Sequence, residues 1–373
     1  MPSFIVIVSP SYGGAERRFF DIFTALRRDG VDVSMIAPSS LVDTLIADHP
    51  DRADIVASLV AVELPTWSRL AFIGKFRKLL RTLPRGSSFH YPLNCLWPLH
   101  LGRGDTVSMS VADCTSVPGP LAGRRTSTWA WLSFFFAARI DVLSPSIFAS
   151  MRGFRSAPKM SLTPGGTFVV TRPWSPVAKS PTVVFLGRLV PGKGIDDFLD
   201  VVADAWRLLR GRVPEGFKFQ IAGYGPLQNH VVERVDLLAR AGTPIAFVGY
   251  AAADALLPAC AVVLSMQEVT NYPSRVVAEA LMAGCAVIVR DTGDSREFGS
   301  DLPGLVYCRP RLDAEEIADH LATLVGRVVS VPAFAQELSR AARARFGGTR
   351  YVQYFRGIVA EGQPLHPCGT RSP

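Results

Sequence analysis

Apolar and polar positions alternate along this chain in two separate blocks. The first opens with an apolar run from Phe4 to Val8 and a Gly13-Gly14 loop. An amphipathic stretch from Ala15 to Asp29 follows, closed by Gly30, and then a second apolar run from Val31 to Ile36. That order is a βαβ unit. Further strands are read at Thr106 to Ala112 and Ile140 to Leu143, each beside helix-like sequence. Residues 169 to 182, VVTRPWSPVAKSPT, carry three prolines and no apolar period, which marks a linker. Beyond it the alternation restarts. Strands at Val183–Leu186, Lys218–Ala222, Ile245–Val248, Ala261–Leu264 and Ala286–Arg290 interleave with helices at Ile195–Leu209, Leu227–Ala241, Ala252–Leu257 and Ser274–Ala283. This is the pattern of a doubly wound parallel sheet.

Length agrees with the two blocks, since 373 residues exceed one ordinary core and suit two domains. The expected division is a first Rossmann-like domain over 1–170, a linker over 171–182 and a second Rossmann-like domain over 183–348. A helix over 349–362 is expected to pack back on the first domain, leaving a tail at 363–373. Two such domains imply a cleft between them, where ligands bind. Apolar residues at 48% and charged ones at 19% describe a packed globular chain without a disordered block. The six cysteines, Cys95, Cys114, Cys260, Cys285, Cys308 and Cys368, show neither ligand spacing nor a disulfide framework, and reduced thiols are expected. The opening residues lack a basic region and a cleavage site and read as a strand rather than a leader. The apolar stretch Trp129 to Ala138 is half of the ~20 residues a membrane span requires. A cytoplasmic protein is therefore expected, with no nucleic acid among its partners.

Chemistry concentrates at the ends of the second block's strands. In VVFLGRLVPGKGIDDFL, residues 183 to 199, Arg188 and Lys193 flank a loop between Gly187 and a helix start. Two cations beside helix N–H groups at a strand end suit a diphosphate; two solvated surface cations are the plain alternative. IAGYGPL, residues 221 to 227, places Gly223 and Gly225 after another strand, where a tight turn alone would also explain them. In EVTNYPSRVVAEALMAG, residues 268 to 284, Tyr272-Pro273-Ser274 is read as the start of a helix, with Pro in its first turn and Ser as a cap. Glu279 lies about one and a half turns further on, among small residues that pack closely. A carboxylate there meets either a ligand or a structural ion pair.

GRLVPGKGID, IAGYGPL, VGY at 248 to 250, NYPSRVVAEALMAGCAVIV and DTGDSREF together resemble the retaining GT-B glycosyltransferases of the family 4, or group 1, type. The order and spacing match over most of residues 183 to 298, and SPSYGGAERRF and ARIDVLSPS extend the likeness more loosely through the first half. The resemblance implies two facing Rossmann-like domains and sugar transfer from a nucleoside diphosphate donor, UDP- or GDP-linked, to a hydroxyl acceptor. By that resemblance Arg188 and Lys193 hold the diphosphate, Glu279 binds the ribose, and the Gly13-Gly14 loop closes over the donor. Ser274 and Arg275 stand at the helix start facing the phosphate, and the GYG and VGY segments, with Tyr250, surround the base. No Asp-x-Asp is present, so protein cations are expected to replace a divalent metal, and no cofactor is expected.

The chain departs from the family pattern at one telling place. Two glutamates separated by seven residues are usual, but eight positions before Glu279 stands Asn271, and Glu268 is eleven positions back. Either Glu268 or Asn271 is left to meet the donor sugar. None of His49, His90, His100, His230, His320 and His366 sits clearly at the central strand end of the first block. Asp113 stands there instead, as a sugar or acceptor contact or a turn acid. Glu297, in GDSREF, is a donor-cleft acid or a first-turn acid. A GT-B nucleotide-sugar epimerase and a non-catalytic GT-B partner protein are the alternatives to a transferase of the hexosyl type.

Net charge is +8, and much of the excess falls between Leu64 and Gly104, which hold no Asp or Glu but seven Lys and Arg. Within residues 69–85, the segment RLAFIGKFRKLLRTL puts Phe72, Ile73, Phe76, Leu79, Leu80 and Leu83 on one helical face and Lys75, Arg77, Lys78 and Arg81 on the other. This is either a surface helix packing on its own domain or a contact to anionic membrane that collects a lipid-linked or surface-glycan acceptor.

Overall fold

Each block of the pattern closes into its own all-parallel sheet. The computed structural model describes residues 1–9, 13–48, 55, 58–65, 68–111, 128–153, 159–164, 167 and 174–359. Asp113, Cys114, the last residues of the helix expected over 349–362 and the whole 363–373 tail, with Cys368, lie outside them. One unit comprises Met1–Phe168 with Thr349–Pro373, and the other Val169–Gly348.

In the first unit β1 (Ser3–Val6), α1 (Gly14–Arg28), β2 (Val33–Pro38), α2 (Ser39–Asp48) and β3 (Leu59–Val62) run outward in one direction. Next come α3 (Arg69–Thr82), β4 (Ser88–Tyr91), β5 (Thr106–Val111), α4 (Thr128–Phe136), β6 (Arg139–Val142), α5 (Pro145–Ser150) and β7 (Met160–Leu162). The sheet order is β3-β2-β1-β4-β5-β6-β7. α3 and α4 pack into one core, where Phe76 and Leu80 of α3 share a cluster with Phe134 of α4. Ser68 caps α3 by accepting from Ala71 N at 3.4 Å. The apolar face of α3 is spent on this core. Phe76 and Leu80 are fully buried, and Phe72, Ile73, Leu79 and Leu83 pack against the same cluster.

In the second unit β8 (Thr182–Leu186), α6 (Ile195–Leu209), β9 (Lys218–Ala222), α7 (Gln228–Arg240), β10 (Ile245–Gly249) and α8 (Ala253–Leu256) build one wing. The other wing holds β11 (Val262–Ser265), α9 (Arg275–Met282), β12 (Ala286–Arg290), β13 (Leu305–Cys308), α10 (Ala314–Ser330) and α11 (Pro332–Phe346). The order β10-β9-β8-β11-β12-β13 reverses direction between β8 and β11. At such a switch point the loops diverge and leave a crevice. The strands are near-continuous apolar runs because helices cover both faces.

The chain then contributes α12 (Thr349–Val359) to the first unit, against α1 and β4. Its seat is polar as well as apolar. Tyr351 accepts from the buried Arg18 guanidinium, and Tyr354 donates to Asp141 at 2.6 Å. Ser110 and Thr163 donate to the same buried carboxylate, at 2.7 and 2.5 Å. His90 lies between Ser108 and Ser110 at 3.0 and 3.1 Å, wholly buried under Phe19 and Phe355. A buried polar ladder of this kind holds only when each member finds a partner.

Burial, helped by the Arg18 charge, brings the His90 imidazole down to about 3 from an ordinary 6.5. Between those values the unfolded chain takes up a proton that the folded one does not. Stability contributed by neutral His90 is therefore present above pH 6.5 and falls as the pH drops toward 3. The slope reaches about 1.4 kcal/mol per pH unit. Urea unfolding between those limits should show this extra slope in the wild type and lack it in His90→Gln; equal slopes would contradict the assignment.

Candidate functional site

The loops that leave the carboxyl ends of β8, β9, β10 and β11 are joined to one another by main-chain bonds. Gly187 N donates to Ala222 O at 3.1 Å, Leu189 N to Tyr224 O at 2.9 Å, and Leu227 N back to Leu189 O at 3.1 Å. Gly223 N reaches Gly249 O at 2.9 Å, and Glu268 N reaches Gly192 O at 3.3 Å. Two glycines permit the contact. A Cβ on Gly223 would fall 1.9 Å from Gly187 O, and one on Gly194, whose φ is +74°, would fall 2.0 Å from Met266 O. Gly225 shares the Gly223 turn, its carbonyl accepting from Gln228 N at 3.0 Å. The glycines of GKG and GYG thus seat one loop on the next, a packing role that the turn signal alone does not disclose.

Arg188 projects exposed from the β8 loop, while Lys193 is half-buried at its far end. Lys193 Nζ donates to Gln267 Oε1 at 2.7 Å, bridging the β8 and β11 loops across the switch point. Burial, and then the Arg188 charge, lower its ammonium from the ordinary 10.5. An anion beside it would act in the opposite direction, favouring the charged ammonium. Gln267 is a residue that motif spacing does not single out; its place at the exit of β11 is the signal that finds it. The acids of the α6 first turn are engaged elsewhere: Asp197 pairs with Arg290, and Asp196 with His230 at 2.8 Å.

The β11–α9 loop separates the two residues that the altered glutamate spacing left in contention. Asn271 is buried. Its Oδ1 accepts from Ser265 and its Nδ2 donates to Arg290 O at 3.0 Å, while its main-chain N–H meets Ser295 Oγ at 3.0 Å. Its side chain fixes the loop to β11 and β12 and does not point to a ligand. Glu268 is exposed on the same loop, one residue after Gln267. The helix begins one residue later than expected: Ser274 is the cap, accepting from Val277 N at 3.4 Å, and Pro273 precedes it rather than occupying the first turn. Glu279 is buried with an ion pair to Arg275 at 2.8 Å across one helical turn. The structural partner and the ligand reading are compatible, because a carboxylate offers about four acceptor sites.

Tyr250, at the end of β10, stands edge-to-face with Tyr224, ring centroids 5.6 Å apart, and both rings are largely exposed. Glu297 is exposed in the short turn Ser295–Phe298, where it is a first-turn acid. In the first unit, Gly13 caps α1 with extended backbone and Gly14 opens the helix, with Glu16 buried three residues after the cap. His90 is absorbed by the fold, as described above.

At 15–18% identity, the solved structures compared establish the fold, which is GT-B, with two Rossmann-like domains. HepE of Anabaena in complex with UDP matches with a TM-score of 0.70 and 18% identity, covering 95% of this chain and 98% of that one. A sucrose-phosphate synthase from Thermosynechococcus elongatus matches with 0.66 and 17%, over 95% and 98%. The lipopolysaccharide outer core galactosyltransferase WaaB, in its apo form, matches with 0.61 and 15%, again over 95% and 98%. Residues 180–327 match the family model described as Glycosyl transferases group 1, which spans the strand-end site. No curated protein matches the chain in sequence.

Proposed function

We propose that this protein is a retaining glycosyltransferase that moves a sugar from a nucleoside diphosphate donor to a hydroxyl acceptor without a divalent metal. The carrying observation is the placement of Arg188 and Lys193 at the β8–β11 switch point. The family match over 180–327 supports the reaction class. HepE, solved with UDP and with UDP-glucose, favours a uridine donor. In this reading the bond between the anomeric carbon and the diphosphate oxygen breaks, and the acceptor oxygen bonds to that carbon from the same face. The acceptor proton passes to the departing phosphate. Arg188 and Lys193 stabilise the charge that develops on the diphosphate, which lowers the barrier because that charge is greatest in the transition state. Glu279 binds the ribose, Tyr224 and Tyr250 the base, and the exposed Glu268, rather than the buried Asn271, approaches the sugar.

Acceptor dependence tests the reaction. UDP release from UDP-glucose should require an added hydroxyl acceptor and fall about a hundredfold in Arg188→Ala and in Glu279→Ala. Release of a free epimer without acceptor would establish an epimerase instead. Unchanged glycan assembly in cells carrying both variants would leave only a non-catalytic role.

The acceptor we propose is lipid-linked or part of a surface glycan, met at an anionic membrane surface on the cytoplasmic side. Arg77, Lys78, Arg81 and Arg85 are exposed on and after α3, and Lys75 makes an exposed contact to Glu63 at 3.5 Å. Arg103, by contrast, is spent on Asp105 at 2.7 Å. Trp131 and Phe136 of α4, a helix that packs into the same core as α3, are 48% and 45% exposed. Cations with exposed aromatic rings suit a lipid interface. Reversal of Lys75, Arg77, Lys78 and Arg81 to Glu should abolish co-sedimentation with phosphatidylglycerol vesicles; retained binding would sink the membrane role.

A further inference from the structure

Gln267 is held where it is by the fold on both sides. Its carbonyl accepts from Thr292 Oγ1 at 3.0 Å, and the next residue's N–H meets Gly192 O at 3.3 Å. The preceding carbonyl, Met266 O, fills the place of a side chain on Gly194. The main chain at 266–268 is therefore fixed relative to the β8 loop, and the Gln267 amide oxygen meets the Lys193 ammonium at 2.7 Å. Among the described residues no carboxylate is paired with Lys193; burial and the Arg188 charge are what act on it.

A carboxylate at position 267 would hold the ammonium equally well and would relieve its repulsion from Arg188. It would also cancel one of the two charges that the site presents. An amide orients the ammonium as an acceptor and leaves its charge intact. We propose that Gln267 is a positioning residue for the diphosphate site, a neutral anchor that aims Lys193 at the donor's leaving group while keeping its full charge available. The proposal rests on the glycosyl-transfer reading for its ligand, and its logic extends to any diphosphate held there. Gln267→Glu, by contrast, would replace the donor as the partner of Lys193.

The test compares wild type, Gln267→Glu and Gln267→Met, all full-length, by titration calorimetry with pyrophosphate and with uridine at one ionic strength. Gln267→Glu should weaken pyrophosphate binding about tenfold or more, which is about 1.4 kcal/mol. Its uridine affinity should be unchanged and its melting temperature no lower than that of the wild type. Gln267→Met keeps the charge and loses the aim. Its pyrophosphate affinity should stay within about threefold, with kcat for sugar transfer falling more than KM rises. Pyrophosphate affinity equal to wild type in Gln267→Glu would overturn the proposal, as would equal losses for pyrophosphate and uridine, which denote a structural role. Wild-type protein that binds pyrophosphate but transfers no sugar would remove the transferase reading and leave the Gln267 assignment to be decided by the affinity ratio.

Discussion

Two carbonyl oxygens, Gly187 O and Met266 O, stand where side chains would be on Gly223 and Gly194, and the candidate site depends on this closeness. Removing the Cβ lets the β8 loop touch its neighbours on both sides through main-chain bonds, so that Arg188 and Lys193 are carried on a braced segment rather than a free loop. Cations placed this way need little rearrangement when an anion arrives. Preorganisation of that kind is what makes fixed charges effective against developing charge. The same bracing fixes Gln267, and through it the direction of the Lys193 ammonium.

Elsewhere the molecule spends its polar groups on itself. Asp141 gathers donors from Ser110, Thr163 and Tyr354, and Arg18 is held by Tyr351, so α12 is seated on the first unit by specific partners as well as by Phe355. His100 is likewise enclosed between Tyr91 and Asp105, at 2.6 and 2.9 Å. These satisfied networks contrast with the exposed Arg188, Glu268 and Tyr250 at the strand ends of the second unit. Lys193 and Glu279 fall between the two, half-buried and buried, each with one neighbouring side chain as partner.

The second unit was legible in the sequence because its strands are unbroken apolar runs. Ile195–Leu209, Lys218–Ala222 and Ala286–Arg290 have the same bounds in the structure as in the pattern. In the first unit β4 escaped notice. Its sequence, SFHY, sets Ser88 and His90 in a strand that is wholly buried, and the two partners of His90, Ser108 and Ser110, lie about twenty residues on. The β13 strand and the helices α10 and α11 were likewise not read from the pattern. The role of Asn271 was hidden for a related reason, since its bonds run to Ser265 and to the Arg290 carbonyl, which only the folded sheet brings near. Periodicity reports which face is apolar; it does not report which distant polar group will complete a buried one. The motif resemblance singles out Arg188, Lys193 and Glu279, while the structure distinguishes an exposed Glu268 from a buried Asn271.

In the proposed reaction Arg188 and Lys193 together hold a diphosphate at the β8–β11 crevice. Titration of UDP and of uridine into the wild type and into an Arg188→Ala/Lys193→Ala double variant tests it most directly. UDP should bind the wild type far more tightly than uridine does, and the double variant should bring the two affinities together. Equal UDP affinity in the wild type and the double variant would contradict it.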